Sequence, residues 1–429
     1  MNERPSETAA ALYERAKRLV GPYRSITGEG VRESLRILQK EIALTMHEVP
    51  SDSQAFDWKV PKEWNIRDAY VIAPGGEKIL EFKKNYLHVV GYSLPVDAEV
   101  RLEELQEHLY SLPAQPHAIP YVTSYYKERW GFCISENERK NLKPGTYKVH
   151  IDSDLKDGSL TYGELIIPGK EQKEVFISTY ICHPQMGNDN ISGPAVTTQL
   201  AMWLMSAPRR YTYRIAFVPE TIGSLVYMSK NLQVMKERTV AAFNLTCAGD
   251  ERAFSYLPSR HGDTLSDRVA KRVLTRMHPD FISYSFLTRG GDERQYCAPG
   301  ADLPIVNIMR SKYAVYPEYH TSFDDLNLIT PNGLYGTFEV HTKCIEEIEA
   351  NVTYQITCVG EPQLGRRGLF PTLSAKGSPS SSQLDMNNLL AYADGTRDLI
   401  SLSEIIKVPM VELETAAKTL VEAGLLRLV

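Results

Sequence analysis

The sequence contains no run approaching ~18 consecutive apolar residues, the length an apolar helix needs to cross a bilayer. A spanning helix is therefore not expected, and no membrane partner. The opening stretch MNERPSETAAALYERAKRLV carries charge throughout and lacks the apolar core of about 7–15 residues that marks a secretory signal. It reads as an amphipathic surface helix of a cytoplasmic protein. The six cysteines (Cys133, Cys182, Cys247, Cys297, Cys344 and Cys358) are scattered without a CxxC pair, which gives no sign of a disulfide framework and points to buried free thiols. Nor is there an excess of one charge: 48 Lys and Arg stand against 53 Asp and Glu, a net charge of −5. That balance argues against a generic polyanion binder. No internal repeat at a solenoid period is found.

What remains is a chain of 429 residues, 43% hydrophobic and 24% charged, the make-up of a soluble globular protein. At about 150 residues per domain its length suggests roughly three domains. From Gly30 to Met46 the apolar residues Val31, Leu35, Ile37, Leu38, Ile42 and Leu44 recur at helical spacing. Between Phe56 and Gly169 the texture turns to short segments (AYVIAP, KILEF, YLHVVGYSL, GTYKVHI, TYGELIIP) divided by PGG, KPG and KDG turns, which predicts a β-rich unit. Tyr121, Tyr125, Tyr126, Trp130 and Phe132 crowd this unit and read mainly as its core and rim, or else as a wall facing a ligand.

From Glu174 onward, VFISTYIC and YRIAFVP are continuous apolar runs on either side of the helical SGPAVTTQLAMWLM, a β-α-β unit of a parallel sheet covered on both faces. TVAAFNLTCA and LPIVNIM read as further core strands, and GLYGTFEVHTKCIEEIEANVTYQ as a long helix. After Cys358 the stretch GEPQLGRRGLFPTLSAKGSPSSSQ has linker composition. The helical patterns beyond it, MNNLLAYADG, DLISLSEIIKV and VELETAAKTLVEAGLLRLV, resemble a winged helix-turn-helix. From Ile356 onward seven basic residues face eight acids, so packing or dimerisation is favoured over nucleic-acid binding.

Three strand ends carry candidate chemistry. In TYICHPQMGNDNISG a core strand delivers His183 and Asp189 to the sheet edge where ligands bind in open α/β folds, and both are ordinary zinc ligands. Asp189 or Asn188 could equally cap the next helix. RIAFVPETIGS brings Glu220 to the same edge, where a desolvated carboxylate suits a general base. In RSKYAVYPEYHTSFDD, His320 would complete a three-ligand site, with Asp324 or Asp325 to orient its ring. A fourth segment, TRGGDERQYCAPGADLP, holds Asp292, Glu293 and Arg294 in a glycine-flanked loop, either for a substrate's charged end or as a solvated turn.

The order His, Asp-Asn-x-Ser-Gly, Glu at a strand end, then a late His-Thr resembles the zinc aminopeptidases of the dinuclear, co-catalytic type. The resemblance makes His183, Asp189 and His320 metal ligands and Glu220 the general base. It also shows two departures: Thr221 stands where those enzymes have a second glutamate ligand, and Thr246 where they have another carboxylate. One zinc ion is therefore favoured, with two possible should Asp250 rescue the second site. The stretches YSLP, IPYVTSYYKERWGFC, TYICHP, NDNISG, PETIGS, GDERQYCAPGADLP and PEYHTSFDD resemble, more narrowly, bacterial aminopeptidase-like proteins with an inserted small domain and a C-terminal winged helix. This resemblance implies an α/β fold with a mixed, mostly parallel sheet flanked by helices. It divides the chain into a discontinuous catalytic domain (1–55 and 170–355), an inserted β-rich domain (56–169) and a winged helix (356–429).

The expected activity is hydrolysis of an amide or peptide bond in a small peptide or aminoacyl conjugate. Asp292, Glu293 and Glu318 are the candidates for holding a substrate α-amine. The alternatives are a deacylase acting on a natural-product or sugar intermediate, and a non-catalytic scaffold using the winged helix to bind a partner or DNA. A homo-oligomer is compatible with any of these.

Overall fold

The structure, a computed structural model, describes residues 5–369 and 381–429. Part of the expected linker, 370–380, lies outside the described residues. The chain divides into two units between Cys344 and Ile345.

The first unit is built on an eight-stranded sheet. Its strands are β1 (Thr45–Pro50), β2 (Ser159–Ile167), β3 (Glu174–Tyr180), β4 (Thr212–Val218), β5 (Thr239–Asn244), β6 (Ser255–Leu257), β7 (Ile282–Ser283) and β8 (Ile305–Met309). They lie in the order β1-β2-β4-β3-β5-β8-β6-β7. The central pairs β4/β3, β3/β5 and β5/β8 are parallel, whereas β1/β2, β2/β4 and β8/β6 are antiparallel. All seven residues of β3 are buried, which is why VFISTY reads as a continuous apolar run instead of an alternating one.

Helices cover the sheet: α1 (Pro5–Val20), α2 (Glu29–Gln39), α3 (Ser192–Met205), α4 (Ile222–Arg238), α5 (Leu265–Met277) and α6 (Pro331–Ala350), the last running through the division between the units. In α1 the buried residues Ala9, Leu12, Ala16 and Leu19 keep helical spacing on one face. Helix α3 is instead buried from Ser192 through Ala201, so it shows little amphipathic pattern. Its N-terminus presses on β3 and β5: a Cβ on Gly193 would sit 2.5 Å from Thr179 Oγ1 and 2.6 Å from the Leu245 carbonyl. Any larger residue there would push the loop ahead of it off the sheet.

The chain leaves β3 for β4 on one side, then crosses back to β5 on the other. Strand direction thus reverses its lateral course at β3, the place where a crevice opens beyond the carboxyl ends of the strands. The candidate residues of β3 and β4 lie there.

Between β1 and β2 the chain builds a four-stranded antiparallel sheet from Lys78–Ile79, Glu63–Ile72, Thr146–Lys156 and Val96–Arg101, with its own core around Val71, Phe132, Tyr147 and Val149. The segment TYGELIIP departs from the sequence reading. It belongs to β2 and pairs with β1 and β4, not with the inserted strands. Alternation marks it as a strand but cannot name its neighbour, and the chain changes sheets at Asp157–Gly158.

The second unit contains helices Ser381–Tyr392, Leu399–Ile406 and Met410–Glu422 and a three-stranded antiparallel sheet of Asp394–Asp398, Thr353–Ile356 and Leu426–Leu428. Asp398 caps the second helix through the Ser401 amide, 2.9 Å away. This is a winged helix. Its third helix carries Glu412, Glu414 and Glu422 against Lys418.

Candidate metal centre

Two loops and one strand end bring three ligand-type side chains together. His183 lies just past the end of β3, after Ile181 and Cys182; its carbonyl accepts a hydrogen bond from Arg24 Nε at 2.9 Å. Asp189 lies in the loop ahead of α3, whose amides are held by one carboxylate: Asp324 accepts from Asn188 N at 2.6 Å and from Asp189 N at 3.0 Å. His320 has φ +56°, a left-handed conformation that histidine adopts more readily than bulkier residues. Its carbonyl is tied to the Tyr121 amide of the inserted unit at 2.8 Å.

The ligand atoms of His183, Asp189 and His320 all lie within 4.8 Å of one another. Asp189 Oδ2 is 3.0 Å from His320 Nε2 and 3.9 Å from His183 Nε2. Asp189 Oδ2 and His320 Nε2 are buried without a hydrogen-bond partner. Such atoms are costly to bury unless something binds them.

The electrostatics suit a cation. Burial pushes the His183 imidazolium down to about 4, outweighing the attraction of Asp189, so at neutral pH the ring is uncharged and its lone pair is available. Burial works against the Asp189 carboxylate, yet His183, His320 and Tyr180 outweigh it and hold the carboxyl below its ordinary value. Two imidazoles and one carboxylate form a zinc-type donor set, and the residues present fit that ion.

Glu220 lies beside this cluster, its Oε2 3.7 Å from His183 Nε2. Burial first, and then the negative charges of Asp292 and Asp189, raise its carboxyl well above the ordinary range. The turn carrying it is strained: Thr221 has φ +63°, unusual for a β-branched residue. Asp292 Oδ1 holds that turn by accepting from Thr221 N (2.7 Å) and Ser224 Oγ (2.9 Å), while Arg294 donates to Thr221 Oγ1 (2.8 Å). The other Asp292 oxygen is buried and unpartnered, and burial pushes this carboxyl up to about 7.

Several expected roles are redirected. Glu293 is fully buried, with both oxygens engaged by Gly290 N, Gly291 N, Tyr313 Oη and Asn307 Nδ2, so it is not exposed to a substrate amine. Glu318 forms a two-pronged pair with Arg252, both contacts at 2.7 Å. Asp292 is buried against the turn that carries Glu220. Asp250 does not rescue a second site, because its two oxygens accept from Asn188 Nδ2, Arg252 N, Ser311 N and Ser311 Oγ. Asp324 binds the Asp189 loop, and Asp325 accepts from Asn327, so neither orients His320.

Tyr121, one of the crowded aromatics, has its ring 5.4 Å from that of His183 and 5.1 Å from that of His320, so it borders the cluster, the lesser of its two sequence readings. Two further neighbours escape a reading of the sequence alone. Arg24 is far away in sequence. Tyr180 sits within an apolar strand, and its one signal is that a buried tyrosine hydroxyl needs a partner.

Comparison with known proteins agrees with this fold. Residues 13–351 match the model of a family described as a domain of unknown function, DUF4910, and residues 352–428 match a winged helix-turn-helix family. A Clostridium acetobutylicum protein, named for polysaccharide biosynthesis and an aminopeptidase-like domain, is 40% identical over 99% of this chain and 98% of its own. A crystal structure from the same organism, described as that of a peptidase, superposes with a TM-score of 0.91 at 39% identity, covering 99% of this chain and 97% of the other. A zinc aminopeptidase from Bacillus subtilis shares the fold with a TM-score of 0.59 at 14% identity, over 80% of this chain and 95% of its own.

Proposed function

This chain belongs to the DUF4910 family and carries an aminopeptidase-like domain, and from that premise we propose that it is a zinc-dependent hydrolase of amide bonds, an aminopeptidase on small peptides or aminoacyl conjugates. One observation carries the proposal: His183, Asp189 and His320 converge at the carboxyl edge of the sheet with Glu220 Oε2 3.7 Å from His183 Nε2. The Bacillus subtilis neighbour, a zinc aminopeptidase, supports the choice of metal.

His183 Nε2, Asp189 Oδ2 and His320 Nε2 would hold the ion. Zinc, when bound, supplies a Lewis acid that polarises a carbonyl and makes a water acidic near neutral pH. Glu220 Oε2 takes the proton of the attacking water and delivers it to the leaving amine; its raised carboxyl value suits a group that must both accept and release a proton. Asp292 and Arg294 fix the strained turn that aims Glu220. The Tyr121 ring closes the cluster on the side of the inserted unit and limits the depth available to substrate. The six cysteines are all unpaired, in keeping with a cytoplasmic setting.

A second reading rests on the name of the Clostridium relative, which ties that protein to polysaccharide biosynthesis. It makes the substrate an N-acyl sugar or a related intermediate, cleaved by the same centre. Assaying zinc-loaded protein on amino-acid p-nitroanilides beside N-acetylated sugars and N-acyl amino acids separates the two. Turnover of the anilides supports the first reading, turnover of the sugars alone supports the second, and turnover of neither class contradicts both.

A further inference from the structure

The Asp189 carboxylate has two oxygens with different surroundings. Oδ2 faces His183 and His320 and has no hydrogen-bond partner. Oδ1 accepts a hydrogen bond from the Tyr180 hydroxyl. Behind it, Thr246 Oγ1 lies 2.6 Å from the same Tyr180 oxygen. All three side chains are nearly inaccessible, Asp189 at 1%, Tyr180 at 2% and Thr246 at 0%.

The protons of this chain can run only one way. An ionised carboxylate accepts and cannot donate, so the Tyr180 proton lies toward Asp189. The Tyr180 oxygen must then accept from Thr246, whose only proton is used there. A carboxylate can bridge two cations by offering one oxygen to each. Here a fixed O–H dipole points its positive end at Oδ1, on the side where a second cation would stand. The other nearby carboxylate, Asp250, has both oxygens engaged. Among the described residues, His183, Asp189 and His320 are the one group with ligand atoms close enough to share an ion.

We propose that Tyr180, oriented by Thr246, is a positioning residue that makes Asp189 a ligand through Oδ2 alone and limits this centre to a single cation. The proposal rests on the metal-centre reading above and adds a cause for its stoichiometry. It assigns the Tyr180–Thr246 pair a place in the metal's outer shell, where such partners typically change affinity about 10–100-fold.

The test is Co²⁺ binding to metal-stripped protein, followed by equilibrium dialysis with metal analysis and by the visible d–d spectrum. The expected result is one ion per chain for the unaltered protein. Tyr180→Phe, which removes one oxygen from a filled site, should raise the Co²⁺ dissociation constant tenfold or more. It should also change the d–d spectrum, because Asp189 is free to turn, while the circular dichroism spectrum stays the same. Tyr180→Phe combined with Thr246→Asp should take up a second ion. Thr246→Val, which leaves the Tyr180 proton in place but loosens its orientation, should weaken binding by less than Tyr180→Phe and guards against loss of fold in the double variant. Two ions on the unaltered protein, or wild-type affinity and spectrum in Tyr180→Phe, overturn the proposal and leave the metal centre standing. Failure of the unaltered protein to bind any ion overturns both.

Discussion

Glu220 and His183 meet because of strand register. Tyr180 at the end of β3 pairs with Val218 at the end of β4, so the residues just beyond each strand come out side by side, and Glu220 Oε2 lies 3.7 Å from His183 Nε2. The Glu220 amide also donates to Cys182 Sγ at 3.2 Å, which ties the two strand ends together. A carboxylate is thereby set beside an imidazole by the sheet itself, a more rigid mount than a free loop offers.

Glu220→Gln keeps the side chain's size and removes its ability to take a proton. Turnover should fall by about 10²–10⁴, the range typical of a general base, with metal content unchanged. Steady-state kinetics beside metal analysis checks this, and retained turnover would exclude Glu220 from the reaction.

Asp292 should set the pH at which Glu220 becomes active. The Glu220 carboxyl is raised by burial and then by the Asp292 charge, and a base works only in its ionised form. The rate should therefore rise with pH along a limb reporting Glu220. Asp292→Asn removes one raising influence while its side-chain oxygen can still accept from Thr221 N, so the limb should move to lower pH. The pH profile of kcat/KM measures the shift, and an unmoved limb contradicts the coupling.

Metal should stabilise the fold. An ion that binds the native state alone adds RT ln(1 + [L]/Kd), or about 2.7 kcal/mol at a hundredfold excess over Kd. Zinc should raise the melting temperature of stripped protein and leave that of His183→Ala with His320→Ala unchanged. Differential scanning calorimetry reads the difference directly.

Away from the centre, Arg32 of α2 binds Glu63 of the inserted sheet at 2.5 Å, and this pair anchors the insertion to the main body. Burial opposes the Glu63 charge, but hydrogen bonds from Arg32, the Ser159 amide and Asn65 outweigh it and hold the carboxyl down to about 2. A carboxyl lowered on folding contributes stability that is full above its unfolded value, near 4.5, and is lost as pH falls toward 2. Glu63→Gln should flatten the loss of stability over that interval and cost about 1–2 kcal/mol at neutral pH, since the pair is partly screened by solvent. Urea unfolding at a series of pH values tests both.

Much of this was legible in the residues because His183 and Glu220 come shortly after the ends of buried strands. VFISTYIC and YRIAFVP are apolar enough to be recognised as parallel core strands, and so His183 and Glu220 fall at one edge of the sheet. The three helical patterns after the linker stretch appear as Ser381–Tyr392, Leu399–Ile406 and Met410–Glu422. What escaped depends on partners distant in sequence. Nothing near Glu293 announces that Tyr313 and Asn307 will take up its oxygens. Likewise Asp324 lies beside His320 in sequence but turns to the Asn188–Asp189 backbone, because two unpaired amides outcompete one imidazole. Strand Ser159–Ile167 reads as part of the inserted sheet yet pairs with β1 and β4, because pattern specifies a face and not a neighbour.

Anomalous diffraction at the zinc edge, on crystals of zinc-loaded protein, tests the central claim most directly. A single peak is expected, enclosed by His183 Nε2, Asp189 Oδ2 and His320 Nε2, with Tyr180 still on Asp189 Oδ1. A peak elsewhere in the chain, or none between these three atoms at saturating zinc, would contradict it.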